Sequence, residues 1–291
     1  MKFKVDFIKM FILTVAFLFG ALLSNVYCGH VPGREGKCEY SNERNPMLGY
    51  VYSCKIKNAI MYREQDKFTV TGTHASKGRK DLGVKFVEFE SSNISHIPEQ
   101  IFRKFHNLEY LNVNGVGLRN FHPLTNCSDL KVILANNNQL SRLDANVFSV
   151  ATDMETLSFR KNQIEELDVH TFHNLGNLRE LYLSDNKLSS LHMNTFAPLI
   201  SLEILSLSGN QLQSIDLELF HVNLQLHEIL LYDNKITAVH PQSFTNLANL
   251  FNLELHGNLC VDKDIRLDEG EFQEFIKSHL KICYDGYPEK L

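Results

Sequence analysis

The chain has no excess of positive charge. Its 29 lysines and arginines stand against 34 aspartates and glutamates, a formal net charge of −5 with the 13 histidines neutral. General nucleic-acid binding wants a basic surface, so that class is set aside. Long apolar runs are also missing. After residue 23 no stretch approaches the roughly 20 apolar residues that a spanning helix needs, and the polar tail ending at Leu291 carries no GPI signal. No Ser–His–Asp order, phosphate-binding glycine loop or repeated acidic pair stands out. No catalytic residue, enzyme activity or cofactor is therefore expected. The histidines are scattered, and the closest pair, His170 and His173, has no cysteine or carboxylate cluster in register with it. No metal site is expected either.

What the chain does have is a repeat. Residues 202–220 read LEILSLSGNQLQSIDLELF, apolar at Leu202, Leu205, Leu207, Leu212, Ile215 and Phe220, with Asn210 among them. Neither a helix nor a single strand has that spacing. The same pattern stands 24 residues upstream, at Leu178, Leu181, Leu183, Asn186, Leu188, Leu191 and Phe196. It also stands 24 residues downstream, at Leu226, Ile229, Leu231, Asn234, Ile236, Val239 and Phe244. Units begin at Val84, Leu108, Leu130, Met154, Leu178, Leu202, Leu226 and Leu250, all 24 residues apart except the 22 from Leu108 to Leu130. Ser92 and Val116 take the asparagine position in the first two units, and Cys260 takes an apolar position in the last.

The pattern LxxLxLxxNxLxxL resembles the leucine-rich repeat family over residues 84–260. The resemblance implies an α/β solenoid, a curved horseshoe with a parallel β-sheet on its concave face, capped at both ends. One unit cannot bury its own apolar face; stacked units share a continuous core. The asparagine belongs at a turn, where its amide can partner buried backbone groups that the irregular chain leaves open. By the same register Asn137 reads as an exposed position, and the phenylalanines at 102, 148, 172, 196, 220 and 244 as a packed spine under the convex side.

The expected organisation is a signal peptide at 1–28, an N-terminal cap at 29–83, about eight repeats at 84–258 and a C-terminal cap at 259–291. Lys2, Lys4 and Lys9 form a basic n-region, Met10 to Leu23 an apolar run, and Val26 and Cys28 fit the −3 and −1 positions of a cleavage site. Cleavage removes three lysines and one aspartate, so the formal −5 becomes −7. In the first cap Tyr50, Tyr52, Cys54 and Ile56 alternate as in a strand, and residues 68–73 read as a second strand. In the second, Phe272, Phe275, Ile276 and His279 fall at helical spacing.

Secretion and the need to cap an open solenoid pair Cys38 with Cys54 and Cys260 with Cys283, each loop contributing about 3 kcal/mol in the chain-entropy model. Caps with two cysteines rather than four resemble those of secreted arthropod leucine-rich repeat proteins, some of which act in immunity. Cys28 leaves with the signal peptide. Cys127 is then odd: a buried thiol, a bridge to a partner that would permit oligomerisation, or a mate for a retained Cys28. Asn93 and Asn126 head glycosylation sequons, the second weakened by its middle cysteine. Lys77, Arg79 and Lys80 make a basic loop, solvated or in contact with a sulfated glycan.

The concave strands carry the functional expectation. Side chains between the repeat leucines point outward. Phe86, Tyr110, Val132 and Leu134 form one apolar cluster near the N-terminal end of this face; Tyr182, Leu230 and Tyr232 form a second, with Arg160 in the neighbouring column. Exposed aromatics are typical interface anchors. The sequence thus reads as a secreted, extracellular, non-enzymatic protein that binds a protein ligand, or a glycan, on its concave face, in extracellular recognition or innate immunity. The alternative is a structural component of the extracellular matrix.

Overall fold

The structure, a computed structural model, describes residues 34–63, 67–240, 242–262, 264–266 and 280–285. Residues from Arg34 onward form one compact unit. The expected signal peptide and the expected helix at 272–279 lie outside the described residues.

The unit opens with strands β1 (Arg34–Asn45), β2 (Gly49–Lys57), β3 (Ile60–Met61) and β4 (Phe68–Thr71). The repeats follow, with β5 (Val84–Glu90), β6 (Asn93–Ile94), β7 (Tyr110–Asn112), β8 (Val132–Leu134), β9 (Arg142–Leu143), β10 (Thr156–Ser158) and β11 (Glu166–Leu167). They continue with β12 (Glu180–Tyr182), β13 (Ile204–Ser206), β14 (Ser214–Ile215), β15 (Glu228–Leu230), β16 (Ala238–Val239), β17 (Asn252–Glu254) and β18 (Asp264–Arg266). One strand per repeat builds a 12-stranded sheet in the order β18-β17-β15-β13-β12-β10-β8-β7-β5-β2-β1-β4. Neighbours from β5 to β17 are parallel and in register, Leu157 beside Leu181 and Leu181 beside Leu205. The pairings β1–β2 and β17–β18 are antiparallel. β1 has no counterpart in the sequence reading.

The leucine positions turn inward to a single core, where Leu181, Leu205, Leu207 and Leu212 are fully buried. Opposite the sheet the phenylalanines stack: Phe172 on Phe196 at 6.3 Å, Phe196 on Phe220 at 6.3 Å and Phe220 on Phe244 at 5.8 Å. Phe121 joins this spine, 5.4 Å from Phe148.

The asparagines tie each unit to the one before. Asn186 donates through Nδ2 to the carbonyls of Phe159 and Leu183, and its Oδ1 accepts the backbone N–H of Ile164. Asn162, Asn210, Asn234 and Asn258 repeat the arrangement. The residue just before each asparagine is in the left-handed region: Asn137 (φ 57°), Lys161 (55°), Asp185 (55°), Gly209 (63°), Asp233 (52°) and Gly257 (68°). Asn137 is exposed, as its register implies, but its backbone is not neutral to substitution.

Cys38 and Cys54 lie at bonding distance, as do Cys260 and Cys283. Cys127 is unpaired and 2% exposed, and burial pushes its thiol up to about 12. That is the buried-thiol alternative; a bridge from Cys127 to a partner would require the chain to open there.

Candidate binding face

The two outward clusters expected on the sheet have different fates. Phe86, Tyr110 and Val132 are 8%, 8% and 1% exposed and form a small core of their own, with Leu134 partly buried against them. The Phe86 and Tyr110 rings meet edge to face at 4.9 Å. Leu48 and Val51 pack on this cluster. The reason is the length of the first hairpin. β2 starts three residues ahead of Tyr52, its first partner to β5, so Gly49, Tyr50 and Val51 run beyond the repeat strand. The reading of these four residues as an open anchor is therefore corrected: the protein covers them itself. The available signal was Met47-Leu48, an apolar pair inside the turn NPMLG.

The second cluster stays accessible. Tyr182, Leu230 and Tyr232 are half-buried and Arg160 is exposed. The repeat register places Tyr182 and Leu230 in one outward column, with Ser206 between them on the intervening strand. The Arg160 guanidinium lies 4.1 Å over the Tyr182 ring. Tyr182 donates its hydroxyl to Glu180 Oε2 at 3.2 Å. Burial, and then the Glu180 carboxylate, push this phenol up to about 12, so it remains a donor at neutral pH. Tyr232 stacks flat on His256 at 4.7 Å, and His256 Nδ1 lies 2.7 Å from Asp264. The hydrogen bond to Asp264 raises the His256 pKa above its ordinary value.

Between the two tyrosines the floor is small and polar. Ser184, Ser206 and Ser208 are 6%, 1% and 1% exposed, and their hydroxyls bond in series. Short side chains there leave the rings standing proud of the sheet. Glu228 makes no ion pair with a described cation. The face thus offers rings that can shed water, one free cation, one free anion and hydroxyls, a mixture suited to a protein surface. The serine floor and the His256–Asp264 pair escaped sequence reasoning. Serine at an outward position carries no pattern, and Asp264 lies outside the repeat.

The remaining candidates are dispersed. Asn93 is exposed on β6, and Asn126 is exposed at a left-handed position beside buried Cys127. His170 and His173 have ring centroids 6.5 Å apart, and no group of three potential ligands forms among the described residues. No helix of the described residues is long and apolar enough to cross a membrane.

Residues 152–212 and 200–259 match the family model described as leucine rich repeat. No curated protein matches the sequence. Among solved structures, TLR13 in its complex with ssRNA13 is similar at 19% identity and a TM-score of 0.53, over 70% of this chain and 36% of its own. Internalin C2 of Listeria monocytogenes is similar at 23% identity and a TM-score of 0.51, over 61% of this chain and 74% of its own. The chain spans little more than a third of the TLR13 chain, and at these identities the likeness is one of fold. With the family model on its central units and the same ladder running through every strand from β5 to β17, the chain is a leucine-rich repeat protein.

Proposed function

We propose that the protein is secreted and acts, without enzymatic chemistry, by binding a protein ligand on the C-terminal half of its concave face. The observation that carries the reading is the accessible group of Tyr182, Leu230 and Tyr232 on a serine floor, with Arg160 held over Tyr182. Leucine-rich repeat proteins generally serve binding or recognition, and two disulfides with an apolar leader fit an oxidising, extracellular setting. The role is one of extracellular recognition.

The test begins with capture of partners from extracellular fluid, followed by size-exclusion with light scattering. A defined complex supports recognition; heterogeneous polymers of the protein alone favour a structural matrix role. Tyr182→Ala/Tyr232→Ala should then weaken the complex by about 2 kcal/mol or more, with circular dichroism unchanged. His170→Ala/His173→Ala, on the opposite side, should do little. A loss in the histidine variant with none in the tyrosine variant would move the site off the sheet.

A further inference from the structure

Charge is unevenly spread along this chain. Residues 34–83 hold ten basic and six acidic side chains, whereas residues 84–258 hold 11 and 19. An acidic solenoid thus begins with a basic end. Within that end, cations on the sheet side are already paired: Lys55 with Glu43 and Glu88, Lys57 with Glu39 and Glu90. The other side differs.

There the loop Gly72–Lys80 lies across the β1–β2 hairpin. Arg79 Nη2 lies 3.4 Å from Asn42 Oδ1, and its guanidinium sits 5.0 Å from the centre of the Tyr52 ring. Strand alternation puts Arg44 on the same face as Asn42, and Arg44 pairs in register with Tyr50, which is 84% exposed. Lys77 and Lys80 are exposed on the same loop. None of Arg44, Lys77, Arg79 and Lys80 makes an ion pair with a described carboxylate. The nearest acid in sequence, Asp81, is engaged inward: it accepts from Tyr40 and Lys104, both at 2.9 Å, and lies 3.3 Å from His74. Its charge is consumed by the fold rather than by the loop.

From this we infer that the face built by Arg44, Lys77, Arg79 and Lys80 is a second binding site, separate from the sheet, for a linear sulfated polysaccharide. Four unneutralised cations on an open surface match a chain of closely spaced sulfates, which needs no pocket. Single-stranded nucleic acid is the other polyanion of this charge density, but it is held by successive rings on which bases stack. Here only Tyr50 is open; Tyr52 is 3% exposed, with Arg79 over its ring and His74 bonded to its hydroxyl. The preference for a sulfated glycan as the natural polyanion rests on the extracellular reading; the site itself does not.

The experiment is retention of the purified protein on immobilised heparin, with affinity for a heparin oligosaccharide measured across a salt series. Arg44→Gln/Lys77→Gln/Lys80→Gln leaves Arg79 and its packing in place. It should weaken binding at least about tenfold at physiological salt and flatten the salt slope by about 0.7 per lost contact. A control removing three cations elsewhere, Arg119→Gln/Lys187→Gln/Lys235→Gln, should change affinity less than about twofold. Desulfated heparin should bind weakly to the unmodified protein. Equal losses in both variants would mean diffuse charge and overturn the site. Tighter binding of a single-stranded RNA of matched charge would overturn the glycan assignment. Neither result depends on the tyrosine face, whose substitution should leave heparin retention unchanged.

Discussion

Ile94 donates its backbone N–H to the carbonyl oxygen of Val116 at 2.7 Å. In later repeats the same donor reaches 22 residues ahead to an asparagine side chain, as Ile164 does to Asn186 and Leu188 to Asn210. Where the asparagine is absent, main chain has taken its place. Elsewhere no such substitute exists. Asn186→Ala should therefore cost about 1–3 kcal/mol, since the N–H of Ile164 and two carbonyls lose their partner in the core. Urea denaturation measures it, and a change within about 0.5 kcal/mol would refute the ladder's importance.

The left-handed position before each asparagine makes a second prediction. Gly209 has φ +63°, and a Cβ there would meet Asp185 Oδ1 at 2.6 Å. Gly209→Ala should lower stability by at least about 1–2 kcal/mol. Asn137 has φ 57° without a glycine's freedom, so Asn137→Gly should be neutral or stabilising while Asn137→Ala is destabilising. The same loss in both Asn137 variants would point to a side-chain role instead. Exposure alone, from which Asn137 reads as indifferent to substitution, misses this because the constraint lies in the backbone.

Phe86 separates the two clusters experimentally. Being 8% exposed and packed against Tyr110, it should act as core: Phe86→Ala is expected to cost about 3–5 kcal/mol. Affinity of the folded fraction for a sheet-bound partner should hold. A variant of unchanged stability with lost affinity would return the N-terminal cluster to the binding face.

Most of the fold was legible because a 24-residue period over-determines it: each inward leucine is confirmed by its neighbours on either side. The face was half legible. Alternation correctly placed Phe86 and Tyr182 on one side of the sheet, but what covers a residue is decided by distant chain. The β1–β2 hairpin occurs once, so no repetition revealed that Leu48 and Val51 would lie on Phe86, Tyr110 and Val132. The pairing of His256 with Asp264 was hidden for the same reason, Asp264 being on the last, antiparallel strand.

That pair titrates. The hydrogen bond to Asp264 holds His256 above its ordinary 6.5, while for Asp264 the bonds from His256 outweigh burial and hold the carboxyl below its ordinary 3.8. A raised histidine contributes stability that is complete below its unfolded value and lost as pH rises through its folded one. A depressed carboxylate contributes stability that is lost as pH falls through its folded value. The attachment of β18 should therefore be firmest between about pH 4 and the raised titration of His256. Asp264→Asn should lower the His256 titration followed by NMR, and its thermal penalty should be greater at pH 5.5 than at pH 8.5. An unshifted His256 would show that the contact is not formed in solution.

The asparagine ladder also has a direction. Every rung satisfies the unit before it, so Ile164 waits for Asn186, and Leu212 for Asn234. On the ribosome each newly emerged unit would hold an unpaired buried N–H until 22 more residues had followed. Translation supplies the rungs in the order in which the fold consumes them, whereas a chain shortened from its C-terminus always exposes one unfinished unit.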